Sequence, residues 1–265
     1  MKISEILKEI ELYAPLSLQD SYDNAGIQIG DINQIATGAL LCLDITEDII
    51  EEAFQKGCNL IVAHHPLIFK SLNSVTGKNY IERCVIAAIR KGIVIYAAHT
   101  NLDNAENGVS HKIAQKIGLE NSKILKPLNN YTVVKDIRAG AGVVGTLSIP
   151  EEEQTFLYRL KEIFHLKALT HSPLRTKMIK KVAVCGGSGA FLIEEAIAAG
   201  ADVFITGEAK YNDYYNVEKD ILLATIGHYE SEVCTKEIFF EIITKKFPNF
   251  AVHFSNINTN PVNYI

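Results

Sequence analysis

Residues 45–66, ITEDIIEEAFQKGCNLIVAHHP, are echoed by residues 189–211, GAFLIEEAIAAGADVFITGEAKY. In both, a helical stretch carrying Ile-Glu-Glu-Ala runs to a glycine, an apolar strand follows, and polar residues stand where the strand closes. Gly57 lies seven residues before His64 and Gly200 seven before Gly207, which sets His65 opposite Glu208. The next apolar run also closes alike, in IVIYAAHTNLD and LLATIGHYESE. Any two strand–helix–strand units share some of this pattern. If it is a duplication, the chain is an α/β protein of two similar α/β halves packed face to face around a cleft.

The wider pattern agrees with α/β architecture. Short apolar runs at 39–43, 59–63, 93–98, 181–185, 202–205 and 221–226 alternate with helical patterns at 47–56, 80–91, 191–199 and 233–246. The runs lack clean alternation, so they read as parallel strands covered on both faces. The expected division is a first half over 1–125, with 228–265 returning to it, and a second half over 126–227. A polar, glycine-rich passage within 121–150 reads as a connection followed by strands of the second half.

Composition narrows the function classes. The 265 residues are 48% hydrophobic, enough for a sizeable core, with a net charge of −5 and no basic cluster, which argues against a nucleic-acid partner. No apolar run approaches the ~20 residues of a membrane helix. The opening MKISEILKEIELYAPL reads as an amphipathic helix, not a signal peptide, so the expected location is cytoplasmic. Five scattered cysteines without a CxxC pair fit neither a disulfide framework nor a zinc knuckle.

Ligands of open α/β sheets sit beyond the carboxyl ends of the strands. Asp44, His64, His65, His99, Asp103, Glu208 and His228 all fall at such ends. His64 and His65 close one strand, and Pro66 ends sheet pairing behind them. Asp103 offers an anionic oxygen, although Thr100, Asn101 and Asp103 also suit a turn or cap. His228 and Glu232 are spaced i, i+4, one face of a helical turn. His99 suits either a partner that orients a ligand or a buried histidine. Three imidazoles (His64, His65, His228) and two carboxylates (Asp103, Glu232) form a nitrogen–oxygen set for two divalent ions, with Zn, Fe, Mn, Co and Ni all suitable. Asp44 and Glu208 are strand-end carboxylates outside that set, and Glu208 is the candidate catalytic base. The turn Gly186-Gly187-Ser188 follows a strand and lacks both the GK[ST] ending of a P-loop and full GxGxxG spacing. It suits tight packing or a weak anion site.

Several motifs in order resemble the YbgI/NIF-three-like family, whose members are often labelled GTP cyclohydrolase I type 2 homologues. They are Tyr22-Asp23-Asn24-Ala25-Gly26, Ala63-His64-His65-Pro66-Leu67-Ile68-Phe69, His99-Thr100-Asn101-Leu102-Asp103, Thr206-Gly207-Glu208, Gly227-His228-Tyr229-Glu230-Ser231-Glu232 and Asn260-Pro261. The resemblance implies a dinuclear metal site between two α/β halves, with His64, His65, Asp103, His228 and Glu232 as ligands and Glu232 bridging. It also implies a toroidal homohexamer. Tyr22 stands where relatives usually have Trp, and Asn212 where they often have His. The function expected is a metal-dependent hydrolase that acts on a small, nucleotide-like or phosphate-bearing substrate through a metal-activated water. The alternative is a non-catalytic metal-binding, metal-trafficking or scaffold protein.

Overall fold

The computed structural model describes residues 1–128 and 138–265. Part of the expected connection (129–137) lies outside the described residues. The chain divides into two compact units, one formed by 1–102 with 235–261 and the other by 103–234 with 262–265. Residues 103–125, expected with the first half, therefore belong to the second unit, and the chain returns to the first at 235 instead of 228.

The first unit opens with α1 (Ile3–Tyr13), whose Ile3, Ile6, Leu7 and Ile10 recur at helical spacing and are all buried. Then come β1 (Gly26–Ile29), β2 (Ala39–Cys42), α2 (Glu47–Gln55), β3 (Leu60–Ala63), α3 (Tyr80–Lys91) and β4 (Val94–Ala97). Thr46 caps α2 by accepting from the Ile49 amide, and Asn79 caps α3 by accepting from that of Glu82. The short helix α4 (Thr100–Asp103) carries the chain out of this unit.

The second unit holds α5 (Val109–Ile117), β5 (Glu120–Pro127), β6 (Gly140–Glu152), α6 (Glu153–Ile163), β7 (Thr170–His171) and β8 (Met178–Cys185). It continues with α7 (Ile193–Ala198), β9 (Val203–Thr206), α8 (Asp213–Asn216), β10 (Leu222–Thr225) and α9 (His228–Glu232). Finally α10 (Thr235–Lys246) and β11 (Val252–Phe254) return to the first unit. Phe239 and Ile243 of α10 are fully buried.

The first sheet runs in the order β1-β4-β3-β2-β11, and the second in the order β5-β6-β8-β9-β10-β7. Each contains the same parallel triplet followed by an antiparallel edge strand: β2-β3-β4-β1 in one and β8-β9-β10-β7 in the other. The triplets end on matching rungs, Cys42–Ala63–Ala97 and Cys185–Thr206–Thr225. Beyond them, the Ala98 amide donates to Ala63 O and the Ile226 amide to Thr206 O, both at 3.0 Å. Both central strands are buried along their whole length, as covered parallel strands should be. The two halves are thus alike, and α4 stands in the first where α9 stands in the second.

A candidate metal centre

In the first unit, the ends of β3 and β4 bring three imidazoles together. Ring centroids of His64 and His65 are 5.0 Å apart, those of His64 and His99 5.3 Å, and those of His65 and His99 5.4 Å. One nitrogen from each lies within 4.8 Å of the other two, close enough to share an ion. Adjacent residues of a strand point to opposite faces, but His64 and His65 lie just past the last residue of β3, where that alternation lapses.

The Nδ1 atoms are all turned toward oxygen. His64 Nδ1 meets Ala98 O at 2.8 Å, His65 Nδ1 meets Asp44 Oδ1 at 2.7 Å, and His99 Nδ1 meets Asp23 Oδ1 at 2.7 Å. An oxygen on Nδ1 fixes that nitrogen as the protonated one and leaves Nε2 with its lone pair, the form a metal takes. Asp23 is itself held firmly, accepting from the Thr100 amide and hydroxyl and from the Asn24 amide. Burial works to raise its pKa, but the hydrogen bonds from His99 and Thr100 outweigh burial and hold the carboxyl at about 2. It therefore stays an anion behind His99.

The second unit presents acids. His228 Nδ1 faces Glu208 Oε1 at 3.0 Å, and His228 Nε2 faces Glu232 Oε2 at 3.0 Å, the i, i+4 approach expected of α9. Glu208 also accepts from Ser188 Oγ at 2.8 Å. Glu232 is buried and Glu208 largely exposed. Burial, with the negative charges of Asp103 and Glu232, pushes the Cys185 thiol up to about 12, against a lowering hydrogen bond from Ser110. Both carboxylates therefore act on one neighbourhood beside the end of β8, and Cys185 is a neutral thiol at physiological pH, not a nucleophile.

The glycine turn is built around Glu232. Gly187 has φ +58°, and a Cβ there would lie 2.1 Å from Glu232 Oε1. A side chain at Gly207 would lie 2.6 Å from Gly187 O and 2.7 Å from Ser231 Oγ. The Gly187 amide donates to Ser231 Oγ at 3.0 Å, and the Gly189 amide to Thr206 Oγ1 at 2.9 Å. These two amides are engaged within the protein, so the turn serves close packing against a carboxylate; they are not presented to an anion.

His99 joins His64 and His65 in one cluster, which its position in the sequence left open. Glu208 and Asp44 turn out to be parallel features, each an oxygen partner of a histidine. Asp23 and Asp44 were missed as supports. The signal for Asp23 was its place in the Tyr22-Asp23-Asn24 motif. Among the described residues, no helix is long and apolar enough to cross a membrane.

A family model described as Duf34/NIF3 (NGG1p interacting factor 3) matches residues 1–261. A Clostridium acetobutylicum protein named GTP cyclohydrolase 1 type 2 homolog is 33% identical over 261 residues, covering 98% of this chain and 94% of its own. The crystal structure of Staphylococcus aureus protein SA1388 is similar with a TM-score of 0.91 at 28% identity, over 100% of this chain and 99% of that one. A Bacillus cereus protein related to NIF3 also reaches 0.91, at 24% identity and the same coverage, a likeness of fold.

Proposed function

Because the chain belongs to the Duf34/NIF3 family, we propose that it holds two divalent metal ions through His64, His65, Asp103, His228 and Glu232 and uses them to hydrolyse a small substrate. One observation carries the reading: His64, His65 and His99 each have Nδ1 facing an oxygen acceptor, which leaves Nε2 as the unprotonated nitrogen of those three rings, and His228 stands between the Glu208 and Glu232 carboxylates. The donor set of imidazole nitrogen and carboxylate oxygen, without sulfur, fits Zn, Fe, Mn, Co or Ni.

Bound ions of this kind supply Lewis acidity and lower the pKa of water toward neutrality. The protein's own contribution is positional. Asp44 and Ala98 O fix the rings of His65 and His64, Glu208 fixes that of His228, and Gly187 leaves room for the Glu232 carboxylate. His99, braced by Asp23, presents a further nitrogen beside His64 and His65, available to orient a substrate. Glu208, being exposed and hydrogen-bonded to Ser188, serves as a proton acceptor or as the anchor of His228. The name borne by relatives suggests a nucleotide or a phosphate-bearing ring as substrate.

A non-catalytic role in metal binding is the second reading. It is favoured by the engagement of the Gly187 and Gly189 amides, which removes two donors a phosphate would use. The homohexamer also belongs here as a proposal: Phe54 and Ile89 are 53% and 63% exposed and suit burial against a second copy. Light scattering should then report six chains, and a monomer at micromolar concentration contradicts it.

The direct test is hydrolysis of a panel of phosphoesters, nucleotides and cyclic amides by metal-loaded protein, with metal content measured in parallel. Turnover that disappears in His64→Ala/His65→Ala along with the metal supports the hydrolase. Full metal without turnover on any class supports the second reading.

A further inference from the structure

After β11 the chain remains attached to the first unit. The Ser255 amide donates to Leu41 O at 2.9 Å, and the Ser255 hydroxyl and Asn256 amide donate to the two oxygens of Glu52 at 2.5 and 3.0 Å. The Ile257 amide donates to Ser255 Oγ, and its side chain packs against the core that holds α2 and β3. Glu52 is also paired with Lys56 at 3.3 Å. Burial tends to raise the pKa of Glu52, but the hydrogen bonds from Ser255 and Asn256 and the Lys56 ammonium lower it, so the anchor is a carboxylate.

This tether delivers Thr259 to a specific atom. Thr259 Oγ1 donates to Asp44 Oδ2 at 2.7 Å, while Asp44 Oδ1 faces His65 Nδ1 at 2.7 Å. An aspartate's terminal torsion is soft, with broad wells, so a carboxylate fixed through one oxygen can still pivot. A hydrogen bond on each oxygen fixes its plane. The hydroxyl comes from 215 residues further along the chain. In the second unit the corresponding hydroxyl, Ser188 on Glu208, is only 20 residues away, within one strand–helix–strand unit.

We propose that Thr259 is a positioning residue for metal binding: through Asp44 it sets the plane of the His65 ring, so the C-terminal strap tunes a ligand it does not touch. The proposal rests on the metal reading of His65. It requires that the hydroxyl, and not the bulk of the side chain, carries the effect.

The test is zinc(II) titration of the full chain against a chelating competitor, for wild type, Thr259→Val and Thr259→Ser, with thermal unfolding of each metal-free protein and long-range ¹⁵N spectra of the His65 ring. Loss of one hydrogen bond in the relay should weaken zinc binding by roughly three- to tenfold in Thr259→Val. Its unfolding temperature should stay at the wild-type value, and the proportion of Nδ1-protonated His65 should fall. Thr259→Ser should match wild type in all three. Equal zinc affinity in wild type and Thr259→Val overturns the relay while leaving the metal reading intact, as does a Ser variant as weak as Val. A wild type that binds no zinc overturns both.

Discussion

In the first unit, the strand after Gly57 is followed by His64 and His65; in the second, the strand after Gly200 is followed by Gly207 and Glu208. Gly57 and Gly200 have nearly the same left-handed backbone, at φ 71° and 69°. The following strands lead into one-turn helices that each close on an acid, Asp103 in α4 and Glu232 in α9. The same backbone thus carries two imidazoles at one central strand and a small residue with a carboxylate at the other. Backbone hydrogen bonding fixes where the strand ends fall, whereas side-chain chemistry there is free to diverge.

The units differ in how they bury charge, and this gives the largest expected effect. Glu153 and Arg175 form an ion pair almost fully buried in the second unit, with Arg175 also donating to Asp202 O and Asp220 O. Arg175→Ala removes the cation, leaves Glu153 with the main-chain amides of residues 175 and 176 as donors, and should cost about 3 kcal/mol of stability, read from chemical denaturation. If it costs under about 1 kcal/mol, the pair is not what holds β7 and β8 in place.

The supports of the histidines come next. Asp44→Asn and Asp23→Asn keep shape but remove the anion behind His65 and His99. Partners of this kind are typically worth about 10- to 100-fold in metal affinity, so Asp44→Asn should weaken binding by that order. Glu208→Gln acts on His228 through a mostly exposed carboxylate and should cost less. An Asp44→Asn variant that binds as wild type does would break the parallel between Asp44–His65 and Glu208–His228.

Gly187→Ala tests the other half of the comparison. A left-handed alanine costs about 1–2 kcal/mol, and its Cβ would displace Glu232 Oε1. Metal affinity should fall with that carboxylate's position, while calorimetry finds the protein folded. Unchanged affinity would show that Glu232 has room to move.

The smallest effect concerns pH. Glu82, buried in the first unit, accepts from the amides of Thr76, Gly77 and Lys78 and from the Thr76 hydroxyl. Those hydrogen bonds, the Thr76 amide foremost, hold its carboxyl at about 2 although burial opposes them, against roughly 4.3 in an unfolded chain. A depressed folded pKa adds stability that is fully present above the unfolded value and is lost as pH falls through the folded one. The stability difference between wild type and Glu82→Gln should be constant above about pH 5 and shrink toward pH 2. A difference that grows on acidification would contradict this origin.

Much of this was legible in the residues, for physical reasons. Covered parallel strands leave uninterrupted apolar runs, so β2, β3, β4, β9 and β10 could be read, and with them the strand-end positions of His64, His65 and His228. Strand β7 is two residues long, β1 is only half buried and β5 is mostly exposed, so none carries a hydrophobic signal. The supports were hidden because they are tertiary: Asp23 lies 76 residues from His99, and His64 is backed by a main-chain oxygen that no side-chain motif records. The boundary at 102–103 was missed because it falls within α4, where the apolar pattern has no break.

The central proposal is that His64, His65, Asp103, His228 and Glu232 hold two divalent ions. Elemental analysis of wild type, His64→Ala/His65→Ala and Glu232→Gln after identical purification and metal loading tests it most directly. The account predicts two divalent ions per chain in wild type, none in the double histidine variant and at most one in Glu232→Gln, with all three proteins folded. Full metal in the double histidine variant, or two ions retained without the Glu232 carboxylate, would contradict it.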